Sequence, residues 1–420
     1  MGGFKTLAML VERDYIGIFG EMNVGKSSVM NLLTQQNTSL VDATPGTTAD
    51  TKISLLEIHG IGPVKLFDTA GLDEKGELGN KKRKKVYSDL KECDLALVVI
   101  DPSSYSFEVE EELIERARDM DKQILIIKNL FSEDKEVGIP LLKFYKKIAI
   151  KANDDSYRQR LLNFVIDNFE SRNKKQALLP FVEREEYYVL NIPMDVETPP
   201  GRYLRPQAMT EEYITRNWAY PVSFRMDLNK ARSERKKEEK QRFLSFIDNF
   251  KKGPEAIITD SQAMDIMAEW VPADIKLTTF SIAMINYFSR GKLRLFVQGL
   301  KVLKELEEEE RVLIVEACNH SRVGEDIGTV QIPNYFREKF PGVVLEHNFG
   351  REFQENEQLS EYKLIIHCGG CMISSQELNA RIRDVENLQI PFTNYGLLLS
   401  YIQGDKALRK VLEPWGLASA

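Results

Sequence analysis

Thirteen residues, YIGIFGEMNVGKS from Tyr15 to Ser27, constrain this chain more than any other stretch. A short apolar run of strand length passes straight into G-x-x-x-x-G-K-S, with Gly20, Gly25, Lys26 and Ser27 at the fixed positions. Glycines let such a loop turn tightly enough for its backbone N–H groups to wrap phosphates, and the following VMNLLTQ continues as a helix whose N-terminus favours anions. Lys26 is placed to reach the β- and γ-phosphate oxygens and the Ser27 hydroxyl to bind Mg²⁺, with Asn23, Val24 and Ser28 completing the nucleotide loop. A second signature follows at VKLFDTAG, where an apolar strand ends in Asp68 and Gly71. It supplies a carboxylate for the metal shell and a backbone N–H for the γ-phosphate. The pair of signatures specifies an α/β P-loop domain.

The rest of the chain leaves room for more than that domain. At 420 residues, 43% hydrophobic and 29% charged, it reads as two to three soluble domains, each able to bury a core. The N-terminal stretch lacks a basic region followed by a long apolar run, so the expectation is a cytoplasmic chain with no membrane segment. A formal net charge of −7 argues against nucleic acid as the main partner. Four cysteines are too few for a disulfide framework, and a cluster of them points to metal or redox chemistry.

Between the two phosphate signatures lies ATPGTTAD. The order of P-loop, PGTT and DTAG resembles the translation-factor-like GTPases, in particular the group that includes the tRNA-modifying and ferrous-iron-transport G proteins. The resemblance implies GTP as the nucleotide and Thr48 as the switch residue that meets Mg²⁺ and the γ-phosphate, with Thr47 as the fallback. The residue after DTAG is Leu72, which has no amide to orient water, so catalytic help must come from elsewhere. In the resembling group that help is often a potassium ion held partly by an Asn at the position of Asn23, a residue that otherwise reads as a turn former. Lys26, Asn23, Thr48 and Gly71 are the expected catalytic set.

The base-reading motif departs from that pattern. After the strand QILIIK the chain reads Asn129-Leu-Phe-Ser132 where N-K-x-D is expected, so only Asn129 survives. Asp134 lies two residues late, and Lys151-Ala152-Asn153 stands where the resembling group has its S-A-K loop, placing Ala152 and Asn129 among the expected nucleotide contacts. The basic run KKRKK, residues 81–85, reads as a solvated face of a switch helix. Cys93 opens a buried strand and reads as a small core residue.

A helix over 156–170 closes the first domain, and ESRNKKQ reads as a linker. YYVLNIPMD is strand-like, TPPGRYLRPQ is a turn, and Met226–Phe250 predicts one long charged helix that packs on a neighbour or a second copy, or stands solvated. From Gly253 strands and helices alternate, which predicts a parallel sheet covered on both faces. Cys318 and His320 fall just past the strand RVLIVEA, and His367, Cys368 and Cys371 just past YKLII. Sites form at the C-terminal ends of parallel strands, so the two groups can converge on one sheet edge. Three thiolates with one or two imidazoles suit tetrahedral zinc or an iron–sulfur cluster, and a bare CxxC suits a redox pair. Cys371 is expected to begin a helix whose positive end favours an anionic cluster.

C-x-H at 318–320 and H-C-x-x-C at 367–371, behind a GTPase domain, resemble the HydF family, the maturation GTPases of FeFe-hydrogenases. PPGRYLRPQ, ITDSQA, DIGTVQIP and TNYG extend the resemblance over nearly the whole chain. It implies a GTPase domain at 1–172, a small α+β dimerisation domain at 180–252 and a parallel-sheet α/β cluster domain at 253–420. It implies a 4Fe-4S cluster on Cys318, Cys368 and Cys371, with His320 and His367 as further ligands or as orienting groups. It further implies a diiron precursor as transient cargo, two radical-SAM maturases and the apo-hydrogenase as partners, and a homodimer. Two other classes remain open on the residues themselves: a regulatory GTPase of the tRNA-modification or ribosome-associated type with a structural zinc domain, and a redox enzyme using the CxxC.

Overall fold

The computed structural model describes residues 13–35, 52–69, 71, 77–131, 140–171, 176–193, 203–316, 327–349, 353, 356–370 and 373–418. They fall into two compact units, residues 1–175 and 176–420. No helix among the described residues is long and apolar enough to cross a membrane.

The first unit is a six-stranded sheet of β1 (Asp14–Phe19), β2 (Lys52–Ile58), β3 (Gly62–Asp68), β4 (Leu95–Ile100), β5 (Gln123–Asn129) and β6 (Lys146–Ile150). Its order is β2-β3-β1-β4-β5-β6, parallel except for the β2–β3 pair. LALVVI of β4 is buried at every position, as a central strand covered on both faces must be. Alternate residues divide between the faces: Ile16, Ile18, Leu97 and Val99 pack with the helices Lys26–Thr34 and Arg158–Asn168, while Phe19, Ala96 and Val98 pack with Glu77–Glu92 and Glu108–Asp119. Cys93 is buried among the latter group, as expected. The C-terminal ends of β1, β3, β5 and β6 therefore present the P-loop, DTAG, Asn129 and Lys151-Ala152-Asn153 on one edge.

The second unit holds two four-stranded parallel sheets. β7 (Tyr187–Asn191), β8 (Tyr220–Phe224), β9 (Ala256–Thr259) and β10 (Lys276–Thr279) lie in the order β10-β9-β7-β8. β11 (Arg311–Glu316), β12 (Val344–Phe349), β13 (Tyr362–His367) and β14 (Phe392–Asn394) lie in the order β12-β11-β13-β14. The strand EAIITD, expected to open the third domain, instead pairs with β7, so the expected division at 252–253 runs through the first of these sheets. That sheet is also parallel throughout, which makes the middle region α/β in the same layered sense as its neighbour. A single hydrophobic core runs from Leu178 to Leu417.

The helix expected over Met226–Phe250 is two helices, Leu228–Ala231 and Lys236–Ile247. Asp227 caps the first by accepting from Lys230 N, and the second buries Phe243 against Phe224 and Trp270. Its apolar face thus lies on its own sheet.

Candidate functional site

The phosphate loop is shaped by three residues with positive φ: Gly20 at 146°, Asn23 at 62° and Gly25 at 93°. A Cβ on Gly20 would lie 2.3 Å from the Val99 carbonyl oxygen, and one on Gly25 would lie 2.2 Å from Asn129 Nδ2, so both positions need glycine for space as well as for φ. The helix Lys26–Thr34 that follows has no side-chain cap and no acidic residue in its first turn. Its first turn, Ser28 included, presents backbone N–H groups and the positive end of the helix dipole, which favour an anion there.

Lys26 Nζ donates to the Gly20 and Glu21 carbonyls at 3.2 and 2.7 Å, so its ammonium is folded over the loop. Ser27 Oγ donates to Asp68 Oδ2 at 2.5 Å. Burial pushes the Asp68 carboxyl above its ordinary range, against the Ser27 hydrogen bond and the charge of Lys26. Its second oxygen, Oδ1, is buried with no hydrogen-bond partner among the described residues. A hydroxyl beside a carboxylate with one unsatisfied buried oxygen fits the demands of a hard divalent cation that takes oxygen ligands. Gly71 stands where a Cβ would meet Met22 Cα at 2.8 Å, which brings the DTAG turn directly onto the P-loop. Thr47, Thr48, Leu72 and Asp134 lie outside the described residues.

Asn129 and Ala152, expected among the nucleotide contacts, are tied to each other and to the P-loop. Asn129 is buried, donates through Nδ2 to Val24 O at 2.9 Å and accepts at Oδ1 from Ala152 N at 3.0 Å. Its amide is therefore used at both ends to tie the P-loop to the 151–153 loop, and the Ala152 N–H is used in the same bridge. Sequence reasoning also missed Glu110, a buried carboxylate on Glu108–Asp119 that accepts from Glu21 N at 3.2 Å. Burial raises its pKa, and only its helical setting in an acidic run, EVEEE, was visible beforehand.

In the second unit, β11 and β13 are adjacent and parallel, with Val315 opposite His367. The two strands thus end side by side, and Cys318 and His320 follow one end while Cys368 follows the other. Cys318, His320 and Cys371 lie outside the described residues. Among the described residues no group of three His, Cys, Asp or Glu side chains is arranged to hold a metal. Cys368 is buried, and its N–H donates to Val315 O at 2.9 Å. Gly370, at φ 67°, turns its N–H onto Cys368 Sγ at 3.5 Å. A backbone donor aimed at sulfur in a Gly-Gly turn fits a thiolate ligand, since N–H···S bonds stabilise charge on the sulfur.

The structure bears on two expectations about this turn, that His367 is a ligand or an orienting group and that Cys371 begins a helix. His367 is fully buried at the end of β13, with Nδ1 2.7 Å from Cys368 O and Nε2 3.2 Å from Arg381 Nη1, so both ring nitrogens are engaged within the fold. The next helix starts at Ser375, four residues beyond Cys371. Ser374 Oγ caps it by accepting from Glu377 N, and Glu377 sits in its first turn. Its positive end is already satisfied and offers little to an anionic cluster.

Comparison with known proteins gives three matches to family models. Residues 15–130 match the 50S ribosome-binding GTPase model, residues 178–291 the hydrogen maturase F dimerization domain and residues 294–414 the hydrogen maturase F tetramerization domain. The chain belongs to the hydrogen maturase F family. Its N-terminal unit is a GTPase domain. The chain is 31% identical over 121 residues to GTPase Der of a Nitratiruptor species, covering 29% of this chain and 26% of that protein. It is 32% identical over 156 residues to tRNA modification GTPase MnmE of Streptococcus pneumoniae (strain Hungary19A-6), covering 36% and 33%. This hydrogen maturase F chain thus spans about a quarter to a third of the length of those curated relatives. Among solved structures, the G domain of the T. maritima FeoB iron transporter is 22% identical, with a TM-score of 0.29, covering 37% of this chain and 98% of that one. Aquifex aeolicus Era is 20% identical with a TM-score of 0.32, covering 38% and 58%.

Proposed function

We propose that this chain is a GTP-hydrolysing scaffold for metallocluster assembly. It holds a 4Fe-4S cluster on Cys318, Cys368 and Cys371 and assembles or delivers a diiron precursor to apo FeFe-hydrogenase, in concert with two radical-SAM maturases. The observation that carries the reading is the pairing of Val315 with His367, which ends side by side two strands that the sequence follows with cysteines, in a chain that also carries a complete P-loop. The hydrogen maturase F tetramerization match that contains those cysteines and the dimerization match that precedes it support the same reading and an oligomeric state.

On the nucleotide side, Lys26 exchanges the Gly20 and Glu21 carbonyls for phosphate oxygens when GTP enters. Ser27, Asp68 and Thr48 hold Mg²⁺. The uncapped helix N-terminus takes the phosphates, and Gly71 brings the DTAG backbone to the γ-phosphate. Asn23 lies in the loop with its φ in the left-handed region and holds K⁺, which supplies the charge that Leu72 cannot. On the cluster side, Cys318, Cys368 and Cys371 would hold the group, which would supply an iron position without a cysteine for an exchangeable ligand.

Anaerobic purification tests the reading. Brown protein with iron and sulfide supports it. Zinc alone supports a regulatory GTPase with a structural metal site, and a metal-free Cys368–Cys371 disulfide supports a redox enzyme. Lys26→Ala should nearly abolish GTP hydrolysis while leaving iron content unchanged. Hydrolysis should run faster in potassium than in sodium, and Asn23→Ala should remove the difference; equal rates in wild type would reject the potassium role.

A further inference from the structure

Behind the cysteine turn lies a buried charge that the nucleotide chemistry does not use. Arg381, on the helix Ser375–Asn387, has a side chain only 3% exposed. Its Nη2 donates to Glu377 Oε1 at 2.8 Å, one turn back on the same helix, and its Nη1 stands 3.2 Å from His367 Nε2. The Phe353 ring lies 5.2 Å from the guanidinium, and Phe392 meets the imidazole edge-on at 5.7 Å.

The chemistry of these groups fixes the direction of the hydrogen bonds. A guanidinium only donates, so His367 Nε2 accepts and the ring proton sits on Nδ1. Nδ1 then donates to Cys368 O at 2.7 Å. A carboxylate, a guanidinium and an imidazole are thus joined in series, ending on the peptide that follows Cys368. That peptide leads into the Gly369-Gly370 turn whose Gly370 N–H points at Cys368 Sγ.

We propose that Glu377, Arg381 and His367 form a relay that positions the Cys368 turn and sets its electrostatic surroundings, with Arg381 as the central positioning residue. The inference rests on the reading of Cys368 as a cluster ligand. It assigns His367 to the support of the turn: its Nε2 lone pair is engaged by Arg381 and its Nδ1 carries a proton, so neither nitrogen is free to bind iron. Net charge and hydrogen bonds around the sulfurs set the potential of an iron–sulfur group, and a guanidinium one imidazole away from the ligand peptide contributes positive charge there.

The test has two arms, both on the full chain. In metal-free protein, nitrogen-15 NMR of the histidines should find the His367 proton on Nδ1, and Arg381→Met should loosen that preference and speed alkylation of Cys368. In anaerobically reconstituted protein, Arg381→Met and His367→Gln should keep wild-type iron. Arg381→Met should shift the reduced-state paramagnetic resonance signal and lower the midpoint potential, while Arg381→Lys, which retains the charge, should stay near the wild-type potential. A proton on Nε2 in wild type overturns the relay, as does loss of iron in His367→Gln. An unchanged signal and potential in Arg381→Met with full iron overturns it too. If Arg381→Met does not fold, the wild-type tautomer and His367→Gln decide. Wild-type protein that takes up no iron overturns the cluster reading itself, and the tautomer alone then upholds or overturns the relay.

Discussion

Replacing Asn129 with alanine separates two roles that the same residue could have. In the structure its side-chain amide bridges Val24 O and Ala152 N, and all three residues are buried. Asn129→Ala leaves one buried carbonyl and one buried N–H without partners. Each such orphan costs about 1–3 kcal/mol, so the loss is about 2–5 kcal/mol after partial relaxation. For a unit of this size a loss of 1 kcal/mol lowers the midpoint by about 2–4 °C. Calorimetry of nucleotide-free protein should therefore show the transition of the first unit lowered by about 5–15 °C, while that of the second stays in place. Asn129→Asp should do at least as badly near neutral pH, because it keeps an acceptor for Ala152 N but sets a carboxylate oxygen against the Val24 carbonyl. Binding of a fluorescent GTP analogue should weaken in both, since the P-loop loses its brace. If the nucleotide-free transition moves by less than about 1 °C while guanine-nucleotide affinity falls, Asn129 contacts the base and the bracing role is refuted.

Three further outcomes are expected. Gly25→Ala should abolish nucleotide binding, because a Cβ there meets Asn129 Nδ2 at 2.2 Å on a backbone with φ 93°; a filter-binding assay that finds wild-type affinity would contradict the loop geometry. Burial pushes the Cys93 thiol from 9.0 to about 12, so the folded state resists ionisation that the unfolded chain undergoes freely. Stability should therefore fall as pH rises from about 9 toward about 12, and less in Cys93→Ala, as read by denaturant unfolding across that range. Ser374→Ala removes the cap of the helix behind the cysteine turn and should cost the second unit about 1 kcal/mol by chemical denaturation; no loss would mean the cap is replaced by solvent.

Much of this architecture was legible in sequence because its signals are local. The P-loop needs glycine at two fixed places for reasons of φ and space, β4 announces itself as an unbroken apolar run, and β13 carries the apolar LII directly into His367 and Cys368. What escaped depends on distant partners. The pairing of β7 with β9 joins segments far apart in the chain, Tyr188 with Ala256, and nothing in EAIITD distinguishes the sheet it enters from the one after it. β8 and β10 are only five and four residues long, too short for a clear period. The site followed the same rule. Asn129 was expected at the nucleotide because it follows the strand QILIIK, and the partners that brace it come from residues 24 and 152. His367 was expected as a further ligand or as an orienting group, and sequence could not choose because its partner, Arg381, is fourteen residues on. The only local hint was Glu377 spaced four residues before Arg381, a common helical pair.

The shared core of the second unit has a bearing on how hydrogen maturase F proteins of this kind can be taken apart. The two family domains meet between residues 291 and 294, but the chain is stitched across that line. Ser375 Oγ and Asn379 Nδ2 donate to Phe288 O at 2.9 and 2.7 Å, Trp415 Nε1 donates to Thr278 Oγ1 at 2.9 Å, and Lys410 Nζ reaches the Val271 and Pro272 carbonyls. Asn394 caps its own helix and also donates to Ser281, beside which Gly369 of the cysteine turn lies. Severing the backbone there would therefore yield two halves that each display raw apolar surface and stranded donors, and neither would be a module fit to graft elsewhere. A mutation in the half named for dimerization can be felt at Cys368 through Ser281, so the inheritance of one half constrains the other, and the two must evolve as a single part.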